Sequence, residues 1–301
     1  MKLRADRAAL VALCLLAAAA GCRREARPVA RLESHPAHLR LPYPEFAEVE
    51  LAFSPIATLP EGAGEPIVFL HLIEPPDTVV RTFDHRLPER WRESGEIRYR
   101  VRVHQSALAE PIEPGEYRLV VGLYDRDLGR YALETRDEEV GRYEYEVGAV
   151  EVPAADEKTP HVRFSENWLP PEPGSDRQVL ARRTLRGGAP GTLQIGPLPG
   201  AGRVFLGLVI PGSEAGSARL ELAAGETQAT VRVSSPCTGE QAELSGPGRH
   251  DLDLTVTDEP ARAACEIEIA PNFQLVTSER AEATSVRLEL LAWARQVDEA
   301  P

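Results

Sequence analysis

Two aspartates on one strand face are the closest that this sequence comes to a pair of catalytic carboxylates. Asp251 and Asp253 occupy alternate positions in "HDLDL", and paired carboxylates cleave glycosidic bonds in most glycoside hydrolases. An exposed strand produces the same pattern, because successive side chains point to opposite sides of the strand. We therefore expect Asp251 and Asp253 to be solvent-facing strand residues without a catalytic role.

Metal-ligating residue types are present, but their spacing does not match a metal site. The segment "DRDLGR" begins like a calcium-binding loop, with Asp125, Asp127 and Gly129. It lacks the later acidic ligand of such loops, which favours a hairpin turn. His35 and His38 lie three residues apart, without the histidine and cysteine cluster that binds zinc. The sequence thus predicts neither a metal nor another cofactor.

Motifs for covalent catalysis are missing from the sequence as well. It has no Gly-x-Ser-x-Gly motif and no glycine-rich phosphate-binding loop that ends in lysine. Its two lysines are Lys2 and Lys158, so Schiff-base chemistry in the body of the protein would depend on one side chain. We therefore predict that the protein is not an enzyme.

The charge balance excludes one class of partner. The chain has 301 residues, with 34 lysines and arginines, 47 acidic residues and a net charge of −13. Proteins that bind nucleic acid carry a basic surface that neutralises phosphates. Nucleic acid is therefore not expected as a partner.

The first 22 residues have the features of an export signal. Lys2, Arg4 and Arg7 precede an apolar run of 13 residues, from 8 to 20, that ends in small residues. A helix that spans a bilayer needs about 20 apolar residues. The shorter run therefore predicts a secretory signal peptide over residues 1–21.

The end of this signal, "AAGC", resembles the lipobox of bacterial lipoproteins. In that family a signal peptidase cuts before the cysteine, whose sulfur carries a diacylglycerol, and the matching residue here is Cys22. The sequence departs from the usual motif at Ala19, where leucine is common. The resemblance implies a lipid anchor. Because Arg23 is not the aspartate that retains such proteins on an inner membrane, an outer membrane is favoured. Ordinary secretion with an unmodified Cys22 is the alternative.

Two cysteines are left after export and acylation. Cys14 leaves with the signal and Cys22 carries lipid, so Cys237 and Cys265 form an even pair. In an exported protein such a pair favours a disulfide. The bridge would close a loop of 29 residues, for which chain entropy predicts roughly 3–4 kcal/mol of stabilisation. A reactive or metal-binding pair is the alternative, with only His250 as a neighbouring ligand.

Short strands are the elements that must position these residues. From Phe46 to the C-terminus, apolar residues recur at every second position in runs separated by turns, which is typical of all-β sandwiches. In "EIRYRVRVH", Arg98, Arg100 and Arg102 alternate with four apolar residues. We therefore predict that the arginines face solvent and pair with glutamates on neighbouring strands. An anion-binding stripe is the alternative.

A change in composition divides the chain. All seven tyrosines lie between residues 43 and 145, and the segment "VPAADEKTPH" has two prolines and no periodicity. The predicted organisation is a signal peptide (1–21), a lipidated tether (22–45), a first β-sandwich (46–151), a linker (152–161) and a second β-sandwich (162–301).

The first sandwich resembles immunoglobulin-like modules of bacterial envelope proteins, which also form soluble tails of membrane glycosyltransferases. The matching features are Trp91 with Gly95, the turn Pro114-Gly115-Glu116-Tyr117, and Gly122-Leu123-Tyr124-Asp125 followed by Gly129. The resemblance covers residues 46–150. It implies an immunoglobulin- or fibronectin-like fold and a link to the assembly of cell-surface glycans.

The second sandwich resembles, less closely, a jelly-roll accessory module of similar proteins. The matching segments are "WLPPEPGSDRQVLARR" and "APNFQLVTSERAEATSVRLELL". The sequence departs from those modules at Gln178-Val179-Leu180, where they carry a tryptophan. Trp168 and Trp293 are the candidates for stacking on a sugar ring. Core packing is the favoured interpretation for both, because this domain has few other aromatic residues.

These observations together predict a lipid-anchored envelope protein with a binding or scaffolding role. Its expected partners are the membrane, through the N-terminal lipid, and a protein or glycan of the envelope. Carbohydrate binding by the second sandwich is the alternative function. A glycan-acting enzyme is a third class, which would require paired carboxylates in a cleft.

Overall fold

The computed structural model describes residues 26–35, 38–91, 95–174, 178–198, 200–212, 218–257, 264–277 and 282–295. Within these ranges all regular secondary structure is β-strand, which confirms the predicted all-β class. The same ranges hold no helix with the length and apolar character needed to cross a bilayer. Cys22 and the predicted signal peptide lie outside them.

Two groups of strands follow one another along the chain. The first group is β1 (Ala30–His35), β2 (His38–Arg40), β3 (Phe46–Pro55), β4 (Ile67–Glu74), β5 (Thr78–Thr82), β6 (His85–Arg86), β7 (Ile97–His104), β8 (Gly115–Asp125), β9 (Gly129–Tyr131), β10 (Leu133–Glu134), β11 (Glu138–Gly141) and β12 (Glu144–Val152). The second group is β13 (His161–Phe164), β14 (Glu172–Pro173), β15 (Ala181–Arg186), β16 (Gly191–Gly196), β17 (Gly202–Ile210), β18 (Arg219–Leu222), β19 (Thr230–Ser234), β20 (Gln241–Ser245), β21 (Gly248–Val256), β22 (Cys265–Pro271), β23 (Phe273–Val276) and β24 (Thr284–Arg295).

The first sandwich has the strand arrangement of immunoglobulin- and fibronectin-like domains. One sheet has the order β10-β1-β3-β7, and the other has the order β11-β12-β8-β4-β5. The N-terminal segment changes sheets: β1 pairs antiparallel with β3, whereas β2 pairs parallel with β12. The Tyr117 hydroxyl donates to the Glu113 carbonyl at 2.7 Å, which forms the tyrosine corner found in such folds.

Alternating apolar side chains fill the space between these two sheets. Trp91 is buried in the same core. The apolar face of β7 points inward as predicted: Tyr99, Val101 and Val103 pack in this core, and Ile97 is fully buried. Strand β8 lines the same core with Tyr117, Leu119, Val121 and Leu123.

The predicted tether over residues 22–45 is wrong where it overlaps β1 and β2. All six residues of β1 pair with β3, and Leu32 and Leu39 are buried in the first core. Burial of these side chains outweighs the proline and charge content of the segment, since each short strand adds apolar surface to the sandwich. The first sandwich therefore begins near Val29, which follows Cys22 by only seven positions.

The second sandwich is built from two sheets of antiparallel strands. Their orders are β13-β16-β22-β19-β20 and β14-β15-β24-β17-β21, with β23 beside β24 and β18 beside β23. Strands β15, β16, β17 and β19 alternate between the sheets, as in jelly-roll domains. Residues 153–160 connect β12 to β13, at the position of the predicted linker.

A disulfide lies in the second core. Cys237 and Cys265 are bonded, with their Cα atoms 5.6 Å apart, which confirms the predicted bridge. Cys265, Ile267 and Ile269 of β22 are fully buried and alternate with exposed glutamates. The bridge therefore fixes the loop after β19 to the core face of β22.

Candidate functional site at the junction of the two sandwiches

Main-chain hydrogen bonds join the two sandwiches in addition to the linker. The Trp293 amide of β24 donates to the Pro44 carbonyl at 2.9 Å, and the Ala107 amide donates to the Leu291 carbonyl at 2.7 Å. Domains that meet through small polar interfaces are expected to move relative to one another. Here strand β24 is bonded to the turns that precede β3 and follow β7, so these bonds limit rotation at the junction.

Buried polar side chains hold the segments of the first sandwich that reach this junction. The buried Gln105 side chain donates to the Leu41 carbonyl at 2.7 Å and accepts from the Ile112 amide at 2.8 Å. The Tyr43 hydroxyl lies 3.3 Å from the Ala107 carbonyl, and burial raises the pKa of this tyrosine. These bonds supply the partners that buried polar groups require, and they fix the loop after β7.

A small apolar cluster lies at the centre of the junction. Phe46 of β3 and Phe205 of β17 meet edge to face, with ring centroids 5.8 Å apart. Leu290 and Ala292 of β24 complete the cluster, and all four residues are buried. Edge-to-face aromatic pairs contribute about 0.5–1.5 kcal/mol beyond the burial of their surface. The junction thus has an apolar core of its own.

Arg102 of β7 covers this cluster and contacts acidic residues of both sandwiches. Its guanidinium carbon lies 4.3 Å from the centroid of the Phe205 ring, within the range of a cation–π interaction. Its Nη2 donates to Oδ2 of Asp253 at 2.6 Å, and its Nε donates to Oε1 of Glu48 at 3.5 Å. Because a guanidinium can stack and donate at once, Arg102 links β7 to β21.

Glu48 receives a second arginine from the other sandwich. Nη2 of Arg203 donates to Oε1 of Glu48 at 3.0 Å. Burial raises the pKa of the Glu48 carboxyl, but the hydrogen bonds and charges of Arg203 and Arg102 outweigh this effect, so its pKa lies below the usual value. The carboxylate therefore stays charged between the two arginines at neutral pH.

The three alternating arginines of β7 have two different roles. Arg98 donates to Glu50 at 2.9 Å, and Arg100 lies 3.6 Å from Glu48 with 63 % of its side chain exposed. This confirms the predicted solvent-facing, cross-strand paired stripe for these two residues. Arg102 is only 25 % exposed, because the second sandwich covers it. The sequence pattern is the same for all three positions, so it contains no signal for the junction.

We expect Arg102→Ala to lower the free energy of unfolding by about 1.5–3 kcal/mol, because it removes a charged hydrogen bond and leaves Asp253 without its cation. The matched control is Arg100→Ala on the same strand face, for which we expect a loss within about 0.5 kcal/mol. Urea unfolding measures both variants. Distances between spin labels on the two sandwiches should also broaden in the first variant alone. Equal losses in the two variants would contradict the role of Arg102 at the junction.

The two aspartates of β21 do not form a pair with each other. Asp253 is bonded to Arg102, and Asp251 accepts a hydrogen bond from Nε of Arg249 at 2.9 Å. Both lie on the outer face of the strand, but only Asp251 faces solvent as predicted, with 50 % of its side chain exposed. The prediction is wrong for Asp253, because this residue faces the first sandwich at the junction. Each carboxylate thus has an arginine as its partner.

The segment that resembles the start of a calcium loop is a hairpin turn between β8 and β9, as predicted. The Asp125 carboxylate accepts hydrogen bonds from the amides of Asp127, Leu128 and Gly64 at 2.8, 3.0 and 3.0 Å. These bonds lower the pKa of Asp125, and Gly129 takes the positive φ of 83° that closes the turn. The described residues hold no group of three or more metal-binding side chains. His35 and His38 belong to different strands, β1 and β2.

Trp168 and Trp293 are both buried, with exposures of 4 % and 0 %. The favoured interpretation, core packing, is therefore right, and their candidate role in stacking on a sugar ring is wrong. Nε1 of Trp168 donates to the Thr192 carbonyl at 3.1 Å, and its ring meets the edge of Phe164. The Trp293 ring packs so closely on Gly202 that a Cβ at that position would overlap it. Both tryptophans therefore fill the second core, where the domain has few other aromatic residues.

The sheet face that contacts the first sandwich continues into an open groove of about 480 Å³. Thr184 and Thr284 line it with hydroxyl groups, and Arg182 and Arg287 line it with guanidinium groups. Arg182 donates to Glu172 at 3.3 Å. The described residues put no aromatic side chain in the lining. The groove can therefore hydrogen-bond an extended polar ligand, but it has no surface for stacking a sugar ring. Its residues come from separate strands and form no motif in the sequence.

Comparison with known proteins adds little to this geometry. No protein-family model matches the sequence, and no curated protein is significantly similar to it. A solved structure with some similarity is the crystal structure of Salmonella alpha-2-macroglobulin reacted with methylamine, at 12 % identity and a TM-score of 0.23. The match covers 91 % of this chain, which spans 15 % of that protein. At this TM-score the similarity does not support a conclusion about either fold or function.

Proposed function

We propose that this protein is a lipid-anchored protein of the bacterial envelope, in which the first sandwich holds the second as a fixed binding or scaffolding unit. The observation that carries the proposal is the junction. Two main-chain hydrogen bonds, an apolar cluster and the ion pairs of Arg102 join the sandwiches. Independent domains joined by a flexible linker need no such contacts, whereas a scaffold of fixed geometry does.

The positions of the chain entry and of the junction support this role. Val29 precedes β1 at one end of the first sandwich, while Phe46 and Arg102 lie at the other end. Strand β3 runs between these ends with ten residues, which corresponds to roughly 30 Å. An anchor at Cys22 would thus hold the junction, and the second sandwich attached to it, at a set distance from the lipid.

The expected partners follow from the same proposal. The membrane is contacted through the acyl chains at Cys22, and the outer membrane is favoured in a cell with two membranes because Arg23 follows the cysteine. A protein or glycan of the envelope is the proposed second partner. The link to glycan assembly is supported by the resemblance of the first sandwich to tails of glycosyltransferases. The disulfide is consistent with export, since such bonds persist in oxidising compartments.

Carbohydrate binding through the tryptophans of the second sandwich receives no support from their buried positions. Hydrolysis of a glycan would need two carboxylates that converge on one bond. Asp251 and Asp253 are instead occupied by Arg249 and Arg102. We therefore favour scaffolding and a non-enzymatic role over both alternatives.

Replacement of Cys22 by alanine tests the anchor. We expect Cys22→Ala to abolish labelling by radioactive palmitate and to move the protein from the membrane pellet to the soluble fraction, because several acyl chains hold a protein far more firmly than weak surface contacts do. Fractionation of labelled cells measures both effects.

The matched control for this experiment is Cys14→Ala, which alters a cysteine of the predicted signal peptide. It should leave both palmitate labelling and membrane attachment unchanged. Labelling that persists in Cys22→Ala would overturn the lipid anchor.

A further inference from the structure

The end of the first sandwich where β1 begins carries exposed apolar side chains. Within the described residues, the large hydrophobic side chains that remain exposed are Ile56 (47 %), Leu128 (48 %) and Val276 (37 %). Ile56 follows β3 and Leu128 lies in the turn between β8 and β9, whereas Val276 belongs to the second sandwich. Two of the three therefore lie on one surface, which we call the N-terminal end and define by Val29, Ile56 and Leu128.

Hydrogen bonds bring the loops of the N-terminal end together. The Ile56 amide donates to the Val29 carbonyl at 3.0 Å. The same loop reaches the neighbouring turn, where the Gly64 amide donates to Oδ2 of Asp125 at 3.0 Å. The two exposed apolar side chains thus project from adjacent loops around the point where the chain enters the sandwich.

The length of chain before this point restricts how far the N-terminal end can be from the lipid. Val29 follows Cys22 by seven positions, and an extended chain covers at most about 3.6 Å per residue, or roughly 25 Å here. Three of the first five residues after Cys22 are arginines, and basic residues next to a membrane are attracted to anionic headgroups. Exposed Arg126 lies beside Leu128 at the same end, but Asp125 and Asp127 flank it, so the folded surface itself adds no net positive charge. The short length of the segment after Cys22 and its arginines are therefore what favour a position close to the headgroups.

We propose that the N-terminal end docks on the membrane that holds the Cys22 lipid, with Ile56 and Leu128 inserted at the interface between headgroups and acyl chains. This inference rests on the lipid anchor proposed above and adds the lipid surface as a direct partner of the folded domain. Insertion removes apolar side chains from water, and the anchor keeps them at a high effective concentration near the membrane. The docked surface leaves the groove and the second sandwich facing away from the lipid.

Spin labels at single cysteines test this docking in the full acylated protein. Cys22 is acylated and Cys237 is bonded to Cys265, so a cysteine introduced at position 56, 128 or 276 is the one free thiol of the processed chain. Ile56→Cys, Leu128→Cys and the matched control Val276→Cys are labelled with nitroxide. They are then placed on vesicles of phosphatidylethanolamine and phosphatidylglycerol. The ratio of accessibility to oxygen and to a water-soluble nickel chelate reports the depth of each label.

We expect this ratio to be higher by about threefold or more at positions 56 and 128 than at position 276, because oxygen concentrates in the apolar phase. Equal ratios at the three positions on vesicle-bound, acylated protein would overturn the docking while leaving the anchor intact. Spin–spin broadening at position 56 without oxygen enrichment would identify a second copy as the occupant and would also overturn it. Failure of the wild-type protein to carry acyl chains would instead overturn the proposed function.

Discussion

Replacing Trp293 with alanine is expected to lower the free energy of unfolding by about 3–5 kcal/mol. The side chain is fully buried, and its ring fills the space left by the absent Cβ of Gly202. The amide of the same residue donates to Pro44 across the junction, so a shift of β24 would disturb both sandwiches. Urea unfolding followed by circular dichroism measures the loss.

Conservative variants separate packing from hydrogen bonding. Nε1 of Trp293 has no hydrogen-bond partner among the described residues, whereas Nε1 of Trp168 donates to the Thr192 carbonyl. Both Trp293→Phe and Trp168→Phe remove part of an indole from the core. The second also leaves a carbonyl without its donor, so it should cost about 1 kcal/mol more. Losses below about 0.5 kcal/mol for Trp293→Ala, as for a solvent-exposed residue, would contradict its place in the core.

The class of fold and much of each core follow from the sequence because strand periodicity depends on local pattern. Alternation in "EIRYRVRVH" identifies Ile97 and Val103 as buried and the arginines as outward-facing. The disulfide is predictable for a different reason, since Cys237 and Cys265 form the even pair that remains once Cys14 and Cys22 are assigned to the predicted signal peptide and lipid anchor. These features need no knowledge of how the two domains meet.

The junction and the N-terminal strands could not be predicted, because they depend on contacts between segments far apart in the chain. Arg102 alternates with apolar residues just as Arg98 and Arg100 do. It is distinguished by contacts with the second sandwich, namely Asp253, 151 residues away, and the Phe205 ring. Strands β1 and β2 are too short to show a clear period of two, and Leu32 and Leu39 become recognisable as core residues only against their partner strands. The tryptophans were ambiguous for a related reason, since composition does not tell whether an indole is buried or exposed.

Loss of the disulfide is expected to lower the free energy of unfolding by about 3–4 kcal/mol, because a free loop of 29 residues gains conformational entropy in the unfolded chain. Cys237 and Cys265 are buried, and the closed segment contains β20 and β21. For a domain of this size the loss corresponds to a decrease in Tm of roughly 10 °C. Calorimetry with and without a reducing agent measures the change.

The double variant Cys237→Ala/Cys265→Ala controls for side effects of the reducing agent. It should lose a similar free energy of unfolding and should no longer respond to reduction, whereas an unchanged Tm in both experiments would show that the bridge does not stabilise the fold.

The stability of the second sandwich should also depend on export. If residues 1–21 are the export signal that the sequence predicts, a chain that lacks them stays in a reducing compartment, where disulfides seldom form. That protein should then unfold at the lower temperature of the double variant, and oxidation after purification should restore the difference. Strand β21 carries Asp253, the partner of Arg102, so loosening of this closed segment should also weaken the junction.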